Sequence, residues 1–138
     1  MILLDTNVVS EVMRLSPHPG IIAWLNAVDA GELYISTISI AEIIFGLELL
    51  PPGQRRQGFE ERFESFLSAA FDHRVLVFDQ AAARHYGPIM AARRRAGSPM
   101  AAPDGQIAAI ARSQAMDLAT RNTRDFRSCG LALIDPWG

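Results

Sequence analysis

The chain contains no lysine, and all 13 of its basic residues are arginine. That excludes a lysine Schiff base, a P-loop lysine and a lysine general base. It has one cysteine, Cys129, which excludes an internal disulfide framework and a multi-cysteine zinc site. No stretch approaches the ~18 apolar residues of a membrane span. The first carboxylate, Asp5, arrives too early for a secretory leader, and no basic segment precedes it. Positive charge is not in excess: 15 acidic residues against 13 basic give a formal charge of −2, unlike a protein that coats nucleic acid in bulk. The chain is therefore expected to be soluble and cytoplasmic.

What is present is ordinary globular material: 138 residues, 49% hydrophobic and 20% charged. That length supports a single domain over 1–138 with a core large enough to need no covalent staple. The apolar run Ile2-Leu3-Leu4, ending in Asp5-Thr6-Asn7, reads as a buried strand feeding a helix that carries Val8, Val9, Val12 and Met13. A second helix is expected over 21–28 and a strand over 33–35. Ser39 is expected to start a helix carrying Ile40, Ile43, Ile44 and Leu47. Phe59, Phe63, Phe66, Leu67 and Ala70 mark another helical stripe. Val75 to Phe78 reads as a four-residue strand, with Asp79 as N-cap of the next helix. Pro103 opens a further helix, and strands are expected over 118–120 and 131–134. The stretches 51–58 and 97–105 read as loops. Strands separated by helices require crossovers, hence an α/β fold with a mostly parallel sheet covered on both faces.

Sites in such sheets form at the carboxyl ends of strands. Asp5 directly follows the first strand, and Asp125 lies in the loop after a later one. Glu42 and Asp104 fall in the first turns of two helices. Each has a plainer reading. Asp5 could only cap its helix, and Glu42 could close a capping box with Ser39. Asp104 lies three, four and seven residues before Ile107, Ala108 and Ala111, on the inward stripe of its own helix, where a carboxylate needs a cation. Without lysine, that cation is arginine or a metal ion. A cluster of Asp and Glu suits a hard ion, Mg²⁺ or Mn²⁺, and phosphodiester hydrolysis.

Rival chemistries lack their residues. His18, His73 and His85 have no metal-ligand spacing, Cys129 has no histidine near it in sequence, and no G-x-G-x-x-G follows the first strand. The arginines cluster as Arg55-Arg56, Arg93-Arg94-Arg95 and Arg121/Arg124/Arg127. The first two clusters read as solvated helix faces. In the third, Arg121 and Arg124 could grip a phosphate backbone.

Four segments, in this order, resemble the PIN-domain family and its VapC-type toxins, especially the FitB-like branch. They are Met1-Ile2-Leu3-Leu4-Asp5-Thr6-Asn7-Val8-Val9-Ser10, Ser39-Ile40-Ala41-Glu42, Ala102-Pro103-Asp104-Gly105-Gln106-Ile107-Ala108-Ala109 and Ala119-Thr120-Arg121-Asn122-Thr123-Arg124-Asp125-Phe126. The ending Asp135-Pro136-Trp137 is similar to that branch as well. The resemblance implies a three-layer α/β/α sandwich and an endoribonuclease toxin using Mg²⁺ or Mn²⁺. It implies Asp5 and Asp104 as metal ligands, Glu42 and Asp125 completing the catalytic acids, and Thr6, Asn7 and Thr120 as orienting groups. Some relatives carry aspartate where this chain has Asn122, so Asn122 is a neutral ligand or water-positioner and Asp125 takes the fourth acidic place. RNA is the implied substrate. The implied partners are a small VapB-type antitoxin and a second copy of the chain. Two further readings remain open, a non-catalytic PIN-like module docking a basic partner and a metal-dependent DNase.

Overall fold

The computed structural model describes residues 1–72 and 74–138. Among these, β1 (Ile2–Leu4), β2 (Leu33–Ser36), β3 (Val75–Leu76), β4 (Asp117–Ala119) and β5 (Leu133–Ile134) form a sheet in the order β3-β2-β1-β4-β5. Every pairing is parallel. The helices are α1 (Thr6–Val12), α2 (Pro19–Ala27), α3 (Thr37–Glu48), α4 (Gln54–Phe71), α5 (Gln80–Arg95) and α6 (Ala102–Ser113).

Alternation along the strands divides the core in two. Leu3 and Leu118 point into a cluster with Ile89 of α5 and Ile107 and Ile110 of α6. Leu4, Ile35 and Ala119 point the other way, onto Val8, Ile21, Ile43 and Phe63 from α1 to α4. The result is the expected α/β/α sandwich. β1 is central, with β2 on one side and β4 on the other, so the strand order reverses there and opens a crevice at the carboxyl ends of β1 and β4.

Several element bounds differ from the sequence reading. β3 spans two residues rather than four, because it lies at the sheet edge and Val77 is already turning toward Asp79 (Asp79 N–H to Val77 O, 3.0 Å). Asp79 does cap α5, accepting from Ala82 N–H at 2.9 Å. α3 starts at Thr37, two residues before Ser39. Its N-cap is Ser36, whose hydroxyl accepts from Ser39 N–H at 3.2 Å, so the Ser39–Glu42 capping box is not formed and Glu42 is released for another partner. The loops are also shorter than 51–58 and 97–105, since α4 begins at Gln54 and α6 at Ala102. α5 and α6 pack closely at Gly105, where a Cβ would collide with Met90 Sδ and stand 3.1 Å from Tyr86 Cε2. No helix among the described residues is long and apolar enough to cross a membrane.

Candidate active site

Asp5 is the first residue after β1, and its position follows from the strand. Its N–H donates to Ala119 O of β4 at 2.9 Å, the last rung of the β1–β4 ladder. The side chain then turns into the helix start. Oδ1 accepts from Thr6 N–H at 2.8 Å and Oδ2 accepts from the Thr120 hydroxyl at 2.8 Å. Asp5 thus caps α1, and the same carboxylate lines the crevice. Asp5 is 4% exposed and Thr120 fully buried. Burial pushes the Asp5 carboxyl up to about 6, outweighing its two hydrogen bonds, and the charges of Asp104 and Glu42 act in the same direction.

Glu42 projects from α3 toward α1, where the Thr6 hydroxyl donates to Oε1 at 2.7 Å. The Thr6 and Ser39 oxygens are 2.8 Å apart. A hydroxyl has one proton; Thr6 gives its own to Glu42, so Ser39 must donate to Thr6. The line Ser39–Thr6–Glu42 fixes the carboxylate from behind. Ser39 carries no signal in the sequence beyond its proximity to Glu42, since its role depends on which face of α3 meets α1.

Asp104, in the first turn of α6, is half-buried. Its carboxyl is raised by burial first, then by the charges of Glu42 and Asp125. Asp5, Glu42 and Asp104 line one open crevice of about 600 Å³ together with Thr6, Asn7 and Asn122. Asn7 ties the crevice across the sheet: its Oδ1 accepts from Arg121 N–H at 3.4 Å, and its Nδ2 lies 3.5 Å from the Thr120 hydroxyl. Thr120 Oγ1 in turn accepts from Asn122 N–H at 3.0 Å.

The fourth acid is placed differently. Asp125 sits in the 3-10 turn Thr123–Phe126, exposed and off the crevice wall, while Asn122 lies on it. Asp125 reaches the site through its charge, which raises Asp104. Arg121 lines the crevice, its guanidinium carbon 5.1 Å from the centre of the Trp137 ring. Arg124 is exposed and outside the lining.

Sequence reasoning missed Glu11. It is 8% exposed, lines the crevice and pairs with Arg14 at 3.3 Å. The signal was available: Asn7 and Glu11 lie four residues apart on one face of α1, with Arg14 following just beyond its end. Trp137 was noted only as part of the ending, not as a wall of the site. Neither histidine among the described residues lines the crevice. His18 caps α2 by accepting from Gly20 N–H at 3.0 Å, His85 is outside the crevice lining, and His73 lies outside the described residues.

Among the described residues, no three carboxylates or other strong ligands close on one point as a finished cage, so a ring of four converging acids is not formed. The donor set nevertheless fits a hard ion. Mg²⁺ is commonly held by one or two carboxylates and completed by water. Each Asp5 oxygen accepts one hydrogen bond and retains a second lone pair. The Asp5 and Asp104 carboxyls are both raised, chiefly by burial, so a cation between them would favour their charged forms.

Residues 2–130 match the PIN domain. The chain belongs to the PIN-domain family. This PIN domain is 42% identical over 137 residues to VapC ribonuclease Y4jK of Sinorhizobium fredii, covering 99% of this chain and 98% of that protein. It is 38% identical to Toxin FitB of Neisseria gonorrhoeae, covering 99% of both. Among solved structures it resembles FitAB bound to an IR36 DNA fragment, with a TM-score of 0.92 and 38% identity over 100% of this chain and 96% of that one.

Proposed function

We propose that this PIN domain is a metal-dependent endoribonuclease, the toxin of a toxin–antitoxin pair, acting on RNA in the cytoplasm. The observation that carries the reading is the crevice at the strand-order reversal, which Asp5, Glu42 and Asp104 line together. Its likeness to a VapC ribonuclease and to a toxin supports it.

Asp5 and Asp104 would hold Mg²⁺ or Mn²⁺. When bound, such an ion fastens the phosphodiester and stabilises the charge that develops on its oxygens. The chain's own residues do the rest. Thr120 and the Thr6 amide favour the charged form of Asp5, opposing the burial that raises its carboxyl. The Ser39–Thr6 line leaves Glu42 one orientation, facing the crevice, from which it takes a proton from the attacking water. Asn122 orients that water on the crevice wall, and Asp125 adds negative charge from behind Asp104. Arg121, stacked on Trp137, meets a phosphate of the approaching strand bidentately. The partner is a small VapB-type antitoxin, a proposal supported by the FitAB assembly; a second copy of the chain is proposed as well.

The test is RNA cleavage by purified, partner-free protein with Mg²⁺ or Mn²⁺ and with chelator. Cleavage that stops with chelator and with Asp104→Asn supports the reading. No cleavage of any RNA would favour a docking module, and cleavage of DNA alone would make it a DNase.

A further inference from the structure

α5 ends in three arginines, and only two behave as a solvated face. Arg94 and Arg95 are exposed, whereas Arg93 is 8% exposed. Burying a guanidinium is costly unless its donors are all engaged. No carboxylate pairs with Arg93 among the ion pairs of the described residues. Its partners are backbone carbonyls instead. Nε donates to Ser98 O at 2.7 Å, and Nη1 donates to Asp125 O at 2.7 Å and Arg127 O at 2.8 Å. Cys129, whose thiol faces Arg127 O at 3.7 Å, lies on the same buried side.

These carbonyls belong to the two segments that frame Asp104. Ser98 lies in the corner between α5 and α6, six residues before Asp104. Asp125 and Arg127 end the 3-10 turn that carries the fourth acid. The turn's own bonds use other carbonyls: Asp125 N–H donates to Asn122 O at 3.0 Å and Arg127 N–H to Arg124 O at 3.4 Å. Among the described residues, Arg93 joins the turn to α5, while Asn122 N–H to Thr120 Oγ1 and the buried Phe126 tie it to the sheet side.

We propose that Arg93 is a positioning residue, which clamps the 122–127 turn to the α5–α6 corner and so sets the Asp125 carboxylate against Asp104. It touches neither substrate nor ion. A lysine could not replace it, because one ammonium cannot span three carbonyls in the fixed fork of a guanidinium. The proposal rests on the reading of the crevice as a metal-assisted site for its effect on chemistry, but not for the clamp itself.

The test uses the full chain carrying Arg93→Met or Arg93→Lys, each also combined with Asp125→Asn. Hydrogen exchange at the Asp125 and Arg127 amides should quicken roughly tenfold in both single variants, the size expected for losing a buried hydrogen bond, with β1 unchanged. Mn²⁺ affinity, measured by calorimetry, should fall about fivefold to tenfold, within the usual range for an outer-shell partner. In the Asp125→Asn background, the Arg93 change should cost no further affinity, because its effect passes through Asp125. Should the methionine variant fail to fold, the lysine variant carries the same test. Unchanged turn exchange overturns the clamp. A loosened turn with unchanged Mn²⁺ affinity, or an equal loss in the Asp125→Asn background, overturns the positioning role. Wild-type protein that takes up no Mn²⁺ sinks the reading of the crevice, and the exchange experiment then judges the clamp alone.

Discussion

The two walls of the crevice hold their acids by different means. On the β1–α1–α3 wall, the buried Asp5 accepts from the Thr6 N–H and the Thr120 hydroxyl, and the half-buried Glu42 accepts from the Thr6 hydroxyl, each at 2.8 Å or less. On the wall formed by α6 and the 120–127 segment, Asp104 is half-buried and Asp125 exposed, and the turn carrying Asp125 is gripped through its carbonyls by Arg93. In the first wall Asp5 and Thr120 immediately follow strands, and Glu42 of α3 is tied to them through Thr6, so it is rigid wherever the sheet is rigid. The second is built from helix and turn starts, and its geometry depends on a residue about thirty positions away. On this comparison the two proposed ion ligands are held unequally, Asp5 on the stiffer wall and Asp104 on the more adjustable one.

The sharpest way to break that contrast is to remove the charge from the rigid wall. Asp5→Asn should abolish metal-dependent cleavage, a loss on the order of 10³-fold or more, as several kcal/mol of charge stabilisation disappears. Circular dichroism should remain that of the wild type, and residual cleavage near wild-type rate would refute the assignment.

Next in size is a pH effect. The Asp5 carboxyl is raised in the folded chain from an ordinary 3.8 to about 6. The folded state therefore binds more protons than the unfolded one between these values, and stability must fall as pH rises through them. Metal-free protein should lose up to about 3 kcal/mol between pH 3.8 and 7 from this group. Urea unfolding across that range should show the slope, and Asp5→Asn should reduce it to the share left by the raised Asp104 carboxyl. A stability that rises with pH in wild type alone would contradict the burial argument.

A smaller loss is expected when the support of an acid is removed rather than the acid. Thr6→Val breaks the Ser39–Thr6–Glu42 line and should lower kcat roughly tenfold to a hundredfold, the cost of about 1–3 kcal/mol for an orphaned buried partner. KM should move little, since Thr6 supports a carboxylate and not the RNA; a change confined to KM would place Thr6 in substrate binding instead.

The smallest difference separates two arginines of one loop. Arg121→Ala, on the crevice wall, should raise KM for RNA several-fold, about the worth of one charge-assisted phosphate contact. Arg124→Ala, off the wall, should stay within about twofold, as exposed substitutions generally do. Equal effects would mean that the strand lies across the turn and not along the crevice.

Much of this was legible in advance, and the reasons are local. Asp5 follows a three-residue apolar strand, and period-2 burial leaves the next residue at the sheet's carboxyl edge. Asp104 shares the 3.6-residue stripe of Ile107, Ala108 and Ala111, so its inward direction could be read directly. Glu42 was legible as a candidate, although its apparent cap partner was wrong: Ser36 took the cap because the strand β2 runs one residue further than its apolar run suggests. Glu11 and Trp137 went unread because their importance comes from what faces them across the crevice. Arg93 was read as one of three surface arginines, since nothing in Arg93-Arg94-Arg95 distinguishes the one that turns inward.

The sequence by itself determined the mostly parallel α/β architecture, the exclusion of lysine chemistry and of a disulfide framework, and the presence of acids at strand and helix starts. These depend on periodicity and residue type, which act over a few positions. Only the tertiary structure decided that Asn122 and not Asp125 stands on the crevice wall, that Thr6 serves Glu42 as well as Asp5, and that a buried guanidinium holds the last turn. Each of those requires two segments 30 or more residues apart to meet at hydrogen-bond distance, and hydrogen bonding is directional over a few tenths of an ångström, a precision that no spacing along the chain encodes.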